Sequence, residues 1–142
     1  MRCLLWLSIL TILSTCSKSS TPAPVFSSVL GAWTYTTPDN KISVDFVLVN
    51  SPSGSLDIQN PIIKVNGVSG VAAALMTGVS LPAIGSIRIN ANDIGLIQPY
   101  SIIFTNCVVA TDFTRITVVD VVYTYPWGTN KILSTIQITR KP

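Results

Sequence analysis

The chain has 142 residues, with nine Lys or Arg against six acidic residues, a formal net charge of +3 and 48% hydrophobic residues. All six acids are Asp, and there is no His and no Glu. That excludes His-based triads, His-ligated metals and Glu general acids or bases. The basic residues are scattered along the chain rather than clustered, which excludes a nucleic-acid footprint.

In chain order, Met1-Arg2 supplies a positive charge and Cys3 to Leu13 is an almost unbroken apolar run. The run is too short to span ~30 Å of hydrocarbon as a helix. A charged start, a short apolar core and a small-residue end predict a signal peptide over 1–15. Leu13-Ser14-Thr15-Cys16 resembles the end of a bacterial lipoprotein signal, although Thr15 stands where Gly, Ala or Ser is usual. The Cys16-Ser17-Lys18-Ser19 start looks like those of Bacteroidota outer-membrane lipoproteins. The resemblance implies lipidation of Cys16, a membrane partner through that lipid, and an outer-membrane location in the cell envelope. An ordinary secretory signal, releasing a secreted or periplasmic soluble protein, is the alternative. Polar, Pro-containing residues then form a tether over 16–28, ahead of one domain over 29–142. Cys107 lies in an apolar run and is expected to be a buried, inert thiol. Without lipid on Cys16, a Cys16–Cys107 bridge becomes the competing use of both residues.

The domain is rich in Val, Ile and Thr with Gly, Pro and Asn between the runs, which favours strands. Eight strand-like segments follow. Gly31 to Thr37 comes first, then Ile42 to Val49, whose Ile42, Val44, Phe46 and Leu48 alternate with Ser43, Asp45, Val47 and Val49. Leu56 to Gln59 continues to Val65 past Pro61, which marks an edge or a bend. Gly67 to Ala83 is ambiguous: Val71 to Met76 reads equally as one or two helical turns or as an apolar loop over an open end. Ser86 to Asn90, Ile94 to Gln98, Tyr100 to Ala110, Thr114 to Tyr125 and Lys131 to Arg140 complete the set, with Ile132, Ile136 and Ile138 on the inner face of the last. No helical crossover segment is present, so the expected fold is all-β: a single antiparallel domain of about eight strands, either a β-sandwich or a meander barrel.

Three short points resemble lipocalins, whose eight-stranded barrel is closed at one end by a Trp under an Arg. Gly31-Ala32-Trp33 opens the first strand, Thr111-Asp112-Phe113 falls between the sixth and seventh, and Arg140 ends the eighth. Phe113 replaces the usual Tyr, and the usual C-terminal helix is missing. The resemblance implies structural roles for Trp33, Asp112 and Arg140 and leaves the ligand unspecified.

Little acid–base chemistry is on offer. Asp39, Asp93 and Asp112 sit among turn formers and are expected to cap turns, and Asp45 and Asp57 are expected to face water. Asp120 is the exception, mid-strand and predicted to share a face with Ile116, Val118 and Val122. Burial without a partner would raise its pKa, marking it as a candidate perturbed acid. The favoured alternative is that this face is outward and merely Val-rich, or that Asp120 pairs with a Lys or Arg on the adjacent strand. Asn90-Ala91-Asn92-Asp93 offers oxygen ligands, but an Asx turn explains the same residues, and no metal or cofactor is expected. Tyr123, Tyr125 and Trp127 are the candidate contact patch for a glycan or protein surface. The expected function is a non-enzymatic binding or structural module for an envelope protein or glycan. The alternative is a lipocalin-like carrier whose apolar cavity would be lined by Val44, Phe46, Ile103 and Val119. An enzyme using Asp120 is the remote third reading.

Overall fold

A computed structural model describes residues 26–91, 100–125, 128–132 and 135–142. A single 3-10 turn, Ser27–Val29, precedes nine strands: β1 Gly31–Thr36, β2 Ile42–Asn50, β3 Leu56–Val65, β4 Val68–Ser80, β5 Ala83–Ala91, β6 Tyr100–Val109, β7 Arg115–Tyr125, β8 Gly128–Ile132 and β9 Ile136–Arg140. They form one antiparallel sheet. Each strand from β1 to β7 pairs with the next, and β9 lies between β7 and β1. The sheet therefore curls into a nearly closed meander barrel of lipocalin-like order rather than splitting into a sandwich. The expected last strand divides in two: β8 pairs with one half of β7 (Val121↔Ile132) and β9 with the other half (Val118↔Ile136).

The alternating sequence explains the inside of the barrel. On β2, Ile42, Val44, Phe46 and Leu48 are buried, and Ser43, Asp45, Val47 and Val49 lie on the other face, as the period of two requires. Trp33, Phe46, Tyr100, Phe104 and Tyr123 are the largest fully buried side chains, surrounded by Ile63, Ile84, Ile87, Ile89, Ile102 and Ile116. Burial of each such side chain contributes about 1.5–3 kcal/mol. Packing begins before the expected domain start at residue 29, because Phe26 already belongs to the core.

Three expectations are corrected. The ambiguous stretch is neither helix nor loop; it is β4, thirteen residues long. Pairing to β5 from Ala72↔Ala91 to Ser80↔Ala83 holds it extended, so ladder bonds and burial override the helical preference of its alanines. Ile103 is only partly buried on the outer side of β6, and Val119 is 48% exposed, so neither lines the interior. The cause is a shift in alternation shared by adjacent strands. Inward positions run Ile84 then Ile87 on β5, Phe104 then Cys107 on β6, and Val118 then Val121 on β7. The residues between them stay outward, aligned as Ser86↔Thr105 and Thr105↔Asp120.

Backbone conformation makes that shift. Asn106 (φ 52) and Gly78 (φ 64) take left-handed conformations inside their strands, which bends a sheet locally. Gly78 and Gly85 face each other there, and a Cβ on Gly85 would lie 3.0 Å from the Thr77 carbonyl oxygen and 3.3 Å from the Gly78 Cα. A second irregularity sits at Asn60 (φ 50), where the β2–β3 register shifts between Asp45 and Val47. Pro61 follows with its ring buried, so the expected bend in β3 is a bulge, a place where a strand tolerates proline.

Candidate functional site

The resemblance residues meet at one end of the barrel. The start of β1, the Leu81-Pro82 turn, the β6–β7 turn and the end of β9 all lie there, together with the 3-10 turn. Trp33 is fully buried, and its indole Nε1 donates to the Val29 carbonyl at 3.0 Å. The 3-10 turn is thereby pinned over the end of the core. Arg140 pairs with Trp33 in the β1–β9 ladder, and its guanidinium donates to the carbonyl oxygens of Ser28 and Leu30. Gly31 (φ 132) lets that guanidinium approach, because a Cβ at position 31 would sit 3.3 Å from it. Asp112 accepts from the Thr114 backbone N–H at 3.1 Å and stands 3.9 Å from Arg115. Those hydrogen bonds, first from the Thr114 backbone, hold its carboxyl below the usual range. Trp33 and Arg140 thus hold the 3-10 turn over this end, whereas Asp112 and Asp39 each cap their own turn, Asp39 by accepting from Lys41 N–H.

The β1–β9 seam is short, with Trp33↔Arg140 and Thr34↔Thr139 as its register pairs. Side chains reinforce it. Lys141 N–H donates to the Ala32 carbonyl, and Lys141 Nζ reaches Asp45 Oδ1 on β2 at 2.9 Å. Partial burial pushes the Asp45 pKa up, but hydrogen bonds from Thr34 and Lys141 and the Lys141 charge outweigh it, leaving the net shift downward. A depressed carboxylate pKa stabilises the fold above the unfolded value of 3.8, and that contribution is lost as pH falls through the lower folded value. Thermal melts from neutral to acid pH are therefore expected to show a gap between wild type and Asp45→Asn that narrows below about pH 4. A gap independent of pH would separate Asp45 from the seam.

The aromatic patch divides. Tyr123 is 1% exposed and faces inward, so it is a core residue rather than a surface contact. Its hydroxyl lies 2.9 Å from that of Tyr35, and the Tyr35 ring meets Phe104 edge-on at 5.6 Å. Alternation in β7 was legible, but the apolar residues on both of its faces hid which side Tyr123 would take. Tyr125 ends β7, while Trp127 lies outside the described residues, as do Cys16, Asn92 and Asp93 and the expected Ile94 to Gln98 strand.

Asp120 does not share a face with Ile116 and Val118. Those two are buried, whereas Asp120 lies partly exposed on the outer surface, beyond the shift in alternation. Its carbonyl oxygen accepts from the Thr105 hydroxyl at 3.4 Å. Among the described residues, no group of three Cys or Asp is placed to hold a metal.

Cys107 faces the core at 1% exposure, and burial pushes its thiol pKa up to about 12. A bridge to Cys16 would require opening the barrel at β6. Alkylation of the native protein near neutral pH is expected to run roughly a thousandfold slower than in urea, since only the thiolate reacts. Comparable rates in both conditions would mean that the thiol is accessible. No known protein family, no curated protein and no solved structure matches this chain.

Proposed function

We propose that the chain is an exported lipoprotein, anchored in the outer membrane through Cys16, whose barrel is a non-enzymatic binding or structural module for an envelope protein or glycan. The observation that carries this reading is the apolar run of 3–13 ending on Cys16, followed by a polar, Pro-containing segment that enters the barrel at Phe26. The placement of Asp120 on the outer surface, away from the buried apolar residues, adds support for a role without acid–base chemistry.

Intact mass of the membrane-fraction protein, beside a Cys16→Ala variant, tests the anchor. A mature chain beginning at Cys16 and carrying diacylglyceryl and acyl groups, with the variant unlipidated, is expected. An unlipidated mature chain in the soluble fraction would remove the anchor and the location together.

The carrier reading draws on a different observation. Ala72 and Ala74 are inward positions of β4 that stay half-exposed, near the end of the barrel that holds Tyr35 and Tyr123. Small side chains beside a buried hydroxyl pair suit an apolar ligand with one polar group. A fluorescent fatty acid that stays dark at saturating protein would discard the carrier.

A further inference from the structure

The outside of the closed end carries a groove of about 680 Å³, lined among others by Ser28, Leu81, Pro82, Val108, Ala110 and Phe113. Val108 is 46% exposed, with its side chain on the outer face of β6. Contiguous apolar surface of this kind marks a place where another apolar body is met.

We propose that this groove seats the barrel against the bilayer that holds its own anchor, an inference that rests on lipidation of Cys16. Chain length supplies the first argument. Phe26 is ten positions beyond Cys16, and at ~3.3–3.6 Å per residue that span reaches roughly 35 Å at most. Ser28, two residues further on, is itself in the groove wall. The tethered end is therefore the end held near the membrane, and the groove is on it.

Charge supplies the second argument. The Arg140 guanidinium is bonded to the carbonyl of Ser28 in the groove wall, whereas Arg115 stands 3.9 Å from Asp112, which offsets its charge. A cation beside an apolar contact matches an anionic lipid surface. Covering the groove walls removes their apolar surface from water, which is favourable. The tether keeps the effective concentration near millimolar, so weak contact suffices.

Hydrogen exchange of the lipidated protein in vesicles of phosphatidylethanolamine and phosphatidylglycerol tests the proposal. Amides of Leu81, Ala83 and residues 108–113 are expected to exchange several-fold more slowly than in the Cys16→Ala chain in buffer. Val108→Asp, at an exposed outward position, is expected to restore fast exchange while the barrel's circular dichroism is unchanged. Equal exchange with and without vesicles would overturn the proposal. So would protection in buffer alone, which would assign the groove to a segment of the same chain, or, if it grew with protein concentration, to a second copy. Intact mass of the same sample separates the failures. Lipid on Cys16 with an unprotected groove overturns the docking alone, whereas absent lipid overturns the anchor on which it rests.

Discussion

Trp33→Ala is expected to destabilise the barrel by about 3–5 kcal/mol, the range for removing a fully buried large aromatic side chain. The indole is 0% exposed and stands between Phe46 on β2 and Arg140 on β9 in the ladder. Its loss creates a cavity and also frees the Val29 carbonyl, which releases the 3-10 turn from the end of the core. Trp33→Phe separates the two effects. It keeps most of the packing but loses the indole donor, and is expected to cost about 1–3 kcal/mol, the penalty for leaving a buried carbonyl unsatisfied. Urea unfolding of both variants measures the difference. Equal small losses would mean that Trp33 neither fills the core nor holds the turn.

The second large effect is expected at Gly85. Gly85→Ala places a methyl 3.0 Å from the Thr77 carbonyl oxygen and 3.3 Å from the Gly78 Cα, both backbone atoms that cannot rotate away. Overpacking of this sort costs about 1–3 kcal/mol. For a domain of this size that lowers the melting temperature by roughly 3–6 °C per kcal/mol. Gly54→Ala is the control. Gly54 has φ 78 with nothing within 4 Å, so only the left-handed conformation is penalised there, at about 1–2 kcal/mol. Gly85 has no left-handed backbone to penalise, so a Gly85→Ala cost well below about 1 kcal/mol would mean that the close approach of β4 and β5 is in error.

How far these features were legible depends on chemical contrast between the two faces of a strand. β2 alternates apolar with polar residues at several positions, so both its conformation and its inner face were plain from sequence. β4 offers no such contrast. Its outward Ala73 and Leu75 are as apolar as its inward Ala72, Ala74 and Met76, and its extended form is decided by pairing with β3 and β5. β6 and β7 were recognisable as strands, but Ile102-Ile103 and Val118-Val119 put aliphatic residues on both faces. That is why Ile103, Val119 and Tyr123 lie on the side opposite to the one expected, while Asp120 follows the outward alternative. A usable signal was present at Asn106, since Asn is poor in strands yet adopts left-handed backbone more readily than most residues.

The closed end was legible through three short motifs because Trp, Arg and a Gly before Trp carry specific steric demands. The Lys141–Asp45 contact was not legible, because it joins residues far apart in sequence across a seam that no periodicity describes. Asp45 was expected only to face water, and its carboxylate is 22% exposed instead.

The seam also has a kinetic consequence. Every pairing from β1 to β7 joins consecutive strands, whereas the Trp33↔Arg140 pairing closes a loop of more than a hundred residues. Loop entropy makes that closure costlier by about 2 kcal/mol than closing a ten-residue hairpin. A chain emerging from its N-terminus therefore has β1 and its hairpin partner β2 long before the strand that covers the other edge of β1. Until residues 136–140 arrive, that edge is an open template for another strand. The last few residues of β9 thus decide both when the barrel becomes a barrel and how long its first strand stays exposed to misassembly.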